Sequence, residues 1–223
     1  MVITIDGPSA SGKSTIAHAL AKKLGFYYLD SGLFYRALGY LLVHKAGYTL
    51  ADLGNKIHDK DINYYTSRCR YLYDQAGAHI FYESEEITPH LKTKDVDAYA
   101  SLVGGTQNVR LGLEEHMRIL AKDKDLVIDG RDTGTIVFPH AEYKFFLTAP
   151  LAVRAARWQV DQGKKGITVT LEQAEHAVKT RDDRDWARPI APLATPEGAH
   201  IVDNATLSKE QTLNEFLKII NKH

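Results

Sequence analysis

Cysteine is almost absent from this chain: Cys69 stands alone among 223 residues, which excludes an internal disulfide and suits a reducing compartment. Also missing is any apolar run near the roughly 20 residues that a bilayer crossing needs. No basic stretch followed by an apolar one opens the chain, so a signal peptide is not expected and the reading is a cytoplasmic protein off the membrane. Charge of one sign is lacking too. Lys plus Arg and Asp plus Glu each number 28, so no overall field draws nucleic acid or an anionic surface. The 10 histidines include no His-Glu-x-x-His spacing, and Cys69 has no Cys or His beside it, which removes the usual zinc patterns. Internal repeats and low-complexity linkers are absent as well, and nothing calls for a dimer, so a monomer is the default.

What is present is ordinary globular composition, with 44% hydrophobic and 25% charged residues, enough for one domain over 1–223. Short apolar runs at Val2–Ile5, Phe26–Leu29, Leu126–Ile128, Lys144–Leu147 and His200–Val202 have the length and character of buried parallel strands. Between them the apolar spacing turns helical. Ile16, Leu20 and Leu24 recur every four residues before Gly25, and Val109, Leu113, Met117 and Leu120 mark a second helix. Strand–helix alternation predicts an α/β fold with a parallel sheet covered on both faces, three layers in all. From Ile62 to Ile87 aromatic and β-branched residues cluster around a turn at Gln75-Ala76-Gly77, which predicts a small antiparallel insertion of two or three strands. Its tyrosines are expected to pack on one another. The patch Gln162-Gly163-Lys164-Lys165-Gly166 predicts a loop between two helices.

Four constellations carry chemistry. Gly7, Pro8, Ser9, Ala10, Ser11, Gly12, Lys13, Ser14 and Thr15 join the first strand to the first helix and contain G-x-x-x-x-G-K-[ST]. Backbone amides wrap phosphate oxygens where glycine permits, the helix start adds its dipole, Lys13 meets the β and γ oxygens, and the Ser14 hydroxyl can ligate Mg²⁺. A nucleoside triphosphate with Mg²⁺ follows. In Asp30-Ser31-Gly32-Leu33-Phe34-Tyr35-Arg36, Ser31 or Asp30 can cap a helix, Ser31 and Tyr35 share a face, and Arg36 offers a fork for a second phosphate. In Asp129-Gly130-Arg131-Asp132, at the carboxyl edge of a predicted strand, Asp129 suits a metal ion held through water, Arg131 a phosphate, and Asp132 a base amino group. Finally Leu171, Ala174, Val178, Arg181, Asp185 and Arg188 are spaced as one helical stripe, apolar first and charged second, which predicts that its charged half meets a polar ligand.

Taken together, these blocks resemble the bacterial cytidylate kinases, in the family's order over nearly the whole chain. The likeness rests on Asp6 to Ser14, Leu29 to Gly32 with Tyr35-Arg36, Asp129 to Asp132 with Gly134-Thr135 and Val137-Phe138-Pro139, and Arg181-Asp182 with Arg184-Asp185, Arg188 and Ala191-Pro192-Leu193. The resemblance implies a phosphate-loop kinase moving the γ-phosphoryl group of ATP to CMP or dCMP, with Mg²⁺. It implies that Arg36, Arg131 and Arg181 hold the acceptor phosphate, that Ser101, Arg110, Asp132 and Arg188 read cytosine, and that Asp185 with Arg181 faces the sugar. It also implies a monophosphate-binding insertion over 62–100 and a helical lid over 150–170 that brings Arg154 and Arg157. Lys92, Met117 and Trp158 depart from the family, where arginine, glutamine and a basic residue are usual. The alternatives are a kinase for UMP or shikimate, or an ATP-driven switch without an acceptor. Arg110, Asp132, Arg188 and the insertion weigh against the first, and the arginine-lined second phosphate site against the other.

Overall fold

The computed structural model describes residues 1–221. In chain order the elements are β1 (Val2–Asp6), α1 (Lys13–Leu24), β2 (Tyr27–Asp30), α2 (Ser31–His44), α3 (Leu50–Asn55), α4 (Asp59–Ser67), β3 (Cys69–Asp74), β4 (Gly77–Tyr82), β5 (Glu85–Glu86), α5 (Lys94–Val103), α6 (Gln107–Ala121), β6 (Leu126–Gly130), β7 (Tyr143–Thr148), α7 (Leu151–Lys164), α8 (Leu171–Ala187), β8 (His200–Asp203) and α9 (Lys209–Ile220). The five expected strands form one parallel sheet in the order β2-β6-β1-β7-β8, and β3-β4-β5 form a separate antiparallel sheet. The chain divides into two compact units, Met1–Phe26 with the chain from Val127 onward, and Tyr27–Leu126.

In the first unit the strands read as continuous apolar runs because both faces are covered. Ile3, Ile5, Val127, Ile128, Phe145 and Leu147 are all fully buried. Register pairs Ile5 with Phe145 and Leu147 with Val202. Phe145 stacks on Phe216 of α9 at 4.1 Å between ring centres. The spacing read in α1 holds: Ile16 and Leu20 are buried, and Gly25 closes the helix with φ 73°. No helix of the described residues is long and apolar enough to cross a membrane.

The second unit is built from the helices α2 to α6 around the small sheet. The turn falls at Gln75-Ala76, held by Asp74, whose Oδ1 accepts from Ala76 N at 2.7 Å. Its tyrosines do pack on one another and on their own scaffold. Tyr71 stacks on Phe34 at 4.9 Å, and its hydroxyl donates to Tyr28 O at 2.9 Å. Tyr27 meets Tyr71 and Tyr73 edge-on at 6.1 and 5.7 Å. One expectation is corrected: Ile62, Tyr64 and Tyr65 lie in the helix α4, and strands begin only at Cys69. Asp59 and Asp61 favour a helix start, and Ile62 and Tyr65, three apart, are its buried face. Aromatic richness alone does not distinguish that face from a strand.

Candidate phosphate-binding site

The loop between β1 and α1 is bent by three residues with positive φ: Gly7 at 149°, Ala10 at 57° and Gly12 at 92°. Such turns aim successive amides at one point, and α1 adds its positive end there. Lys13, 5% exposed, folds back so that Nζ donates to Pro8 O at 2.7 Å and to Ser11 Oγ at 3.3 Å. Burial, and then the charge of Arg131, hold its pKa well below the usual lysine range. A cation so desolvated gains most from an arriving anion. Ser14 Oγ donates to Asp129 Oδ2 at 2.7 Å. A hydroxyl that can ligate the ion, beside a buried carboxylate that can hold one of its waters, suits Mg²⁺.

Two arginines of α7 also reach this loop. Arg154 of α7 donates to Ser9 O at 3.0 Å and to Ala149 O at 2.8 Å, and pairs with Asp182 of α8. Arg157 donates to Asn204 Oδ1 and O at 2.9 and 2.8 Å and to Ser11 O at 3.5 Å. Asn204 itself donates to Ser11 O at 3.0 Å.

Arg131, just past β6, donates from Nε to Asp185 Oδ2 at 2.7 Å and from Nη2 to Ser9 Oγ at 3.2 Å. Burial pushes the Asp185 carboxyl up, yet the charges of Arg131, Arg188 and Arg181 and the Arg131 hydrogen bond bring it below the ordinary aspartate value. Asp132 is 6% exposed and opens one π-helical turn, Thr133–Val137. That turn is fastened to β1. Asp6 Oδ1 accepts from Thr133 N and Oγ1, each at 2.9 Å, and Oδ2 accepts from Gly134 N at 2.7 Å.

Burial outweighs these three bonds and pushes the Asp6 carboxyl from 3.8 up to about 6, with the Asp132 charge adding to the rise. The native state therefore binds this proton more tightly than the unfolded chain, so the contribution is full below about pH 4 and is lost as pH rises through about 6. Relative to an Asp6→Asn variant, the wild type should lose on the order of 2–3 kcal/mol of stability across that window. Urea titrations of both proteins at pH steps from about 4 to 7 measure it, and a pH-independent difference would refute the assignment.

The stripe predicted on α8 is corrected at three places. Leu171 is 46% exposed, Arg188 lies beyond the helix end at Ala187, and the deepest charged residue is Asp182 rather than Arg181, which is only half-buried. Ala174, Val178 and Asp182, four apart, are the buried line. The four-residue spacing would have found Asp182; a strict 3-4 alternation passes over it.

The remaining candidates belong to the second unit. Asp30 caps α2, accepting from Leu33 N at 3.1 Å, while Ser31 is buried and Tyr35 half-buried on that helix. Arg36 Nε donates to Asp97 Oδ1 of α5 at 2.9 Å. Ser101, also on α5, is half-buried. Arg110 is 2% exposed, donates to Gly104 O at 2.9 Å, pairs with Glu114 at 3.6 Å, and lies over the Tyr35 ring at 5.4 Å. The structure thus joins Lys13, Ser14, Asp129, Arg131, Arg154, Arg157 and Asp185 around the loop in one unit, and Tyr35 with Arg110 in the other. Asp97, Glu114, Asp182 and Asn204 were not foreseen. Glu114 and Asp97 are acids opposite predicted arginines, a signal available from helix spacing for Glu114 alone, four residues after Arg110.

A cytidylate kinase family model matches residues 3–222. The cytidylate kinase of Thermotoga maritima is 36% identical over 224 residues, covering 99% of this chain and 96% of that protein. That of Bordetella bronchiseptica is 38% identical over 216 residues, 97% and 93% of the two chains. Among solved structures, an uncharacterized protein from Eubacterium ventriosum shares the fold with a TM-score of 0.55 at 12% identity, over 100% of this chain and 99% of that one. A match along essentially the whole length, through the loop, the Asp-Gly-Arg-Asp turn and the charged end of α8, places this chain in the cytidylate kinase family.

Proposed function

We propose that this chain transfers the γ-phosphoryl group of ATP to CMP and dCMP, giving ADP with CDP or dCDP. The observation that carries this reading is the convergence of four cations on one loop: Lys13 on Pro8 O, Arg131 on Ser9 Oγ, Arg154 on Ser9 O and Arg157 on Ser11 O. In-line transfer spreads negative charge over the moving group, and catalysis consists mainly of positioning and neutralising it. Loop amides and Lys13 take the ATP phosphates. Arg154 and Arg157, on a lid over 150–170, are placed to add charge and exclude water. Ser14 and, through water, Asp129 would hold Mg²⁺, which supplies charge neutralisation between the phosphates.

For the acceptor we assign Arg36, Arg131 and Arg181 to its phosphate, Asp185 with Arg181 to its sugar, and Ser101, Arg110, Asp132 and Arg188 to its cytosine, with Ser31 and Tyr35 also in the CMP site and 62–100 as the monophosphate-binding segment. Free nucleotides are the partners, and a cytoplasmic monomer is the working form. Burial pushes the Cys69 thiol up to about 12, so it stays protonated and takes no part.

ADP release measured with CMP, dCMP, UMP, AMP or shikimate as acceptor tests the reading. Turnover should be strong with CMP and dCMP. Asp132→Ala should erase the preference for CMP over UMP, because an acceptor facing the uracil O4 cannot pair and that mismatch costs about 1–3 kcal/mol. Turnover no faster than acceptor-free hydrolysis would overturn the kinase assignment; an unchanged CMP/UMP ratio in the variant would remove Asp132 from recognition.

A further inference from the structure

Ser9 is gripped at every polar atom. Its N–H donates to Asp182 Oδ1 at 2.8 Å, its carbonyl accepts from Arg154 Nη1 at 3.0 Å, and its hydroxyl accepts from Arg131 Nη2 at 3.2 Å. Asp182 and Arg154 also bind each other, so the ion pair closes a ring around the Ser9 peptide. Both are nearly sealed from solvent, at 7% and 8% exposure. Three residues along α8, Asp185 holds Arg131 in the same manner. One helix thus presents two carboxylates, each fixing an arginine that in turn touches Ser9.

A buried ion pair repays its desolvation only when geometry is complete, and losing one member strands the other. Here the backbone completes the set: Arg154 also donates to Ala149 O, and Asp182 takes the Ser9 amide. The direct consequence is that the orientation of Arg154 and the shape of the loop at Ser9 depend on one carboxylate.

We propose that Asp182 is a positioning residue for phosphoryl transfer: it holds the Arg154 guanidinium and the Ser9 amide in register, so that the loop and the lid-helix arginine meet ATP already arranged. The inference rests on the kinase reading above, and acts through Arg154 rather than on substrate. Asparagine at 182 keeps an acceptor for Ser9 but turns an amide donor towards Arg154, and removes the counter-charge.

The test compares wild type, Asp182→Asn, Arg154→Gln and the double variant in kcat and in KM for ATP and CMP, with melting temperatures alongside. Asp182→Asn should lower kcat/KM for ATP about 10- to 100-fold while KM for CMP moves less than about threefold. In the Arg154→Gln background the same change should cost less than about twofold, since the group it positions is gone. A variant that melts earlier yet keeps kcat/KM for ATP within twofold would reduce Asp182 to a structural role. Losses that multiply in the double variant would show that Asp182 does not act through Arg154. Should Asp182→Asn fail to fold alone, a loss above about twofold from Arg154→Gln to the double variant would still overturn the inference. Wild-type turnover of CMP reports separately on the kinase reading. If that fails, equilibrium binding of a non-hydrolysable ATP analogue decides for Asp182, expected at least about tenfold weaker in Asp182→Asn and unchanged if the inference is wrong.

Discussion

Lys13→Met should lower kcat by about 10²–10³-fold with ATP and CMP saturating, while the folded protein melts no earlier than wild type. Two opposite effects of burial produce this split. Lys13 is 5% exposed, and burial ahead of the Arg131 charge drives its pKa well down, so the charged side chain is held at a cost in the absence of an anion. Methionine keeps most of the volume and removes that cost. The transferring group, however, gathers charge that a fixed cation in a dry site stabilises far more than water does. Loss of one preorganised group of this kind is worth about 3–4 kcal/mol of barrier. The measurement pairs steady-state kinetics with melting curves recorded with and without ATP. Wild type should be stabilised by the nucleotide, and the variant much less. A rate loss under tenfold would show that Arg131, Arg154 and Arg157 suffice, and would displace Lys13 from the centre of the mechanism.

Gly7→Ala, the addition of a single methyl group, should cost the fold at least about 4 kcal/mol, and in practice little soluble protein is expected. A Cβ at this position would stand 2.1 Å from Leu147 O and 3.1 Å from Leu147 C, on a backbone at φ 149°. The carbonyl it strikes belongs to β7, whose Leu147 is paired with Val202 of β8, so yielding would disturb the sheet rather than a side chain. Strain and overlap add. Gly25 supplies the contrast. It also has positive φ, at 73°, but no atom lies within 4 Å of its would-be Cβ, so Gly25→Ala should cost only about 1–2 kcal/mol for the left-handed backbone. Soluble yield, and urea midpoints on whatever protein is recovered, separate conformation from collision. Equal midpoints would mean that Leu147 can move aside.

Local sequence determined the pieces whose physics is local. A buried parallel strand is a short apolar run, and each of the five appears within one or two residues of where its run predicts. The phosphate loop is contiguous, so glycine spacing, helix start, lysine and serine could be read directly, and the hairpin turn at Gln75-Ala76 announced itself by composition. Where two local signals compete, only packing settles the outcome. Tyr64 and Tyr65 suit a strand by type, yet the acidic start at Asp59 and Asp61 and the buried pair Ile62 and Tyr65 make that segment α4. Leu171 looks like the head of a buried stripe and is exposed, because the line that meets the core runs Ala174, Val178, Asp182.

The tertiary structure alone decided which charges meet. Asp182 reaches Ser9 across 173 residues of chain, Arg154 across 145, and Asn204 reaches Ser11 across 193. No periodicity encodes such pairs, because they follow from where the sheet sets the ends of β1, β7 and β8 relative to α7 and α8. Residue types specified a phosphate-binding kinase. Burial, by removing water from Lys13, Asp6 and the Arg154–Asp182 pair, determined which of its charged groups depend on one another.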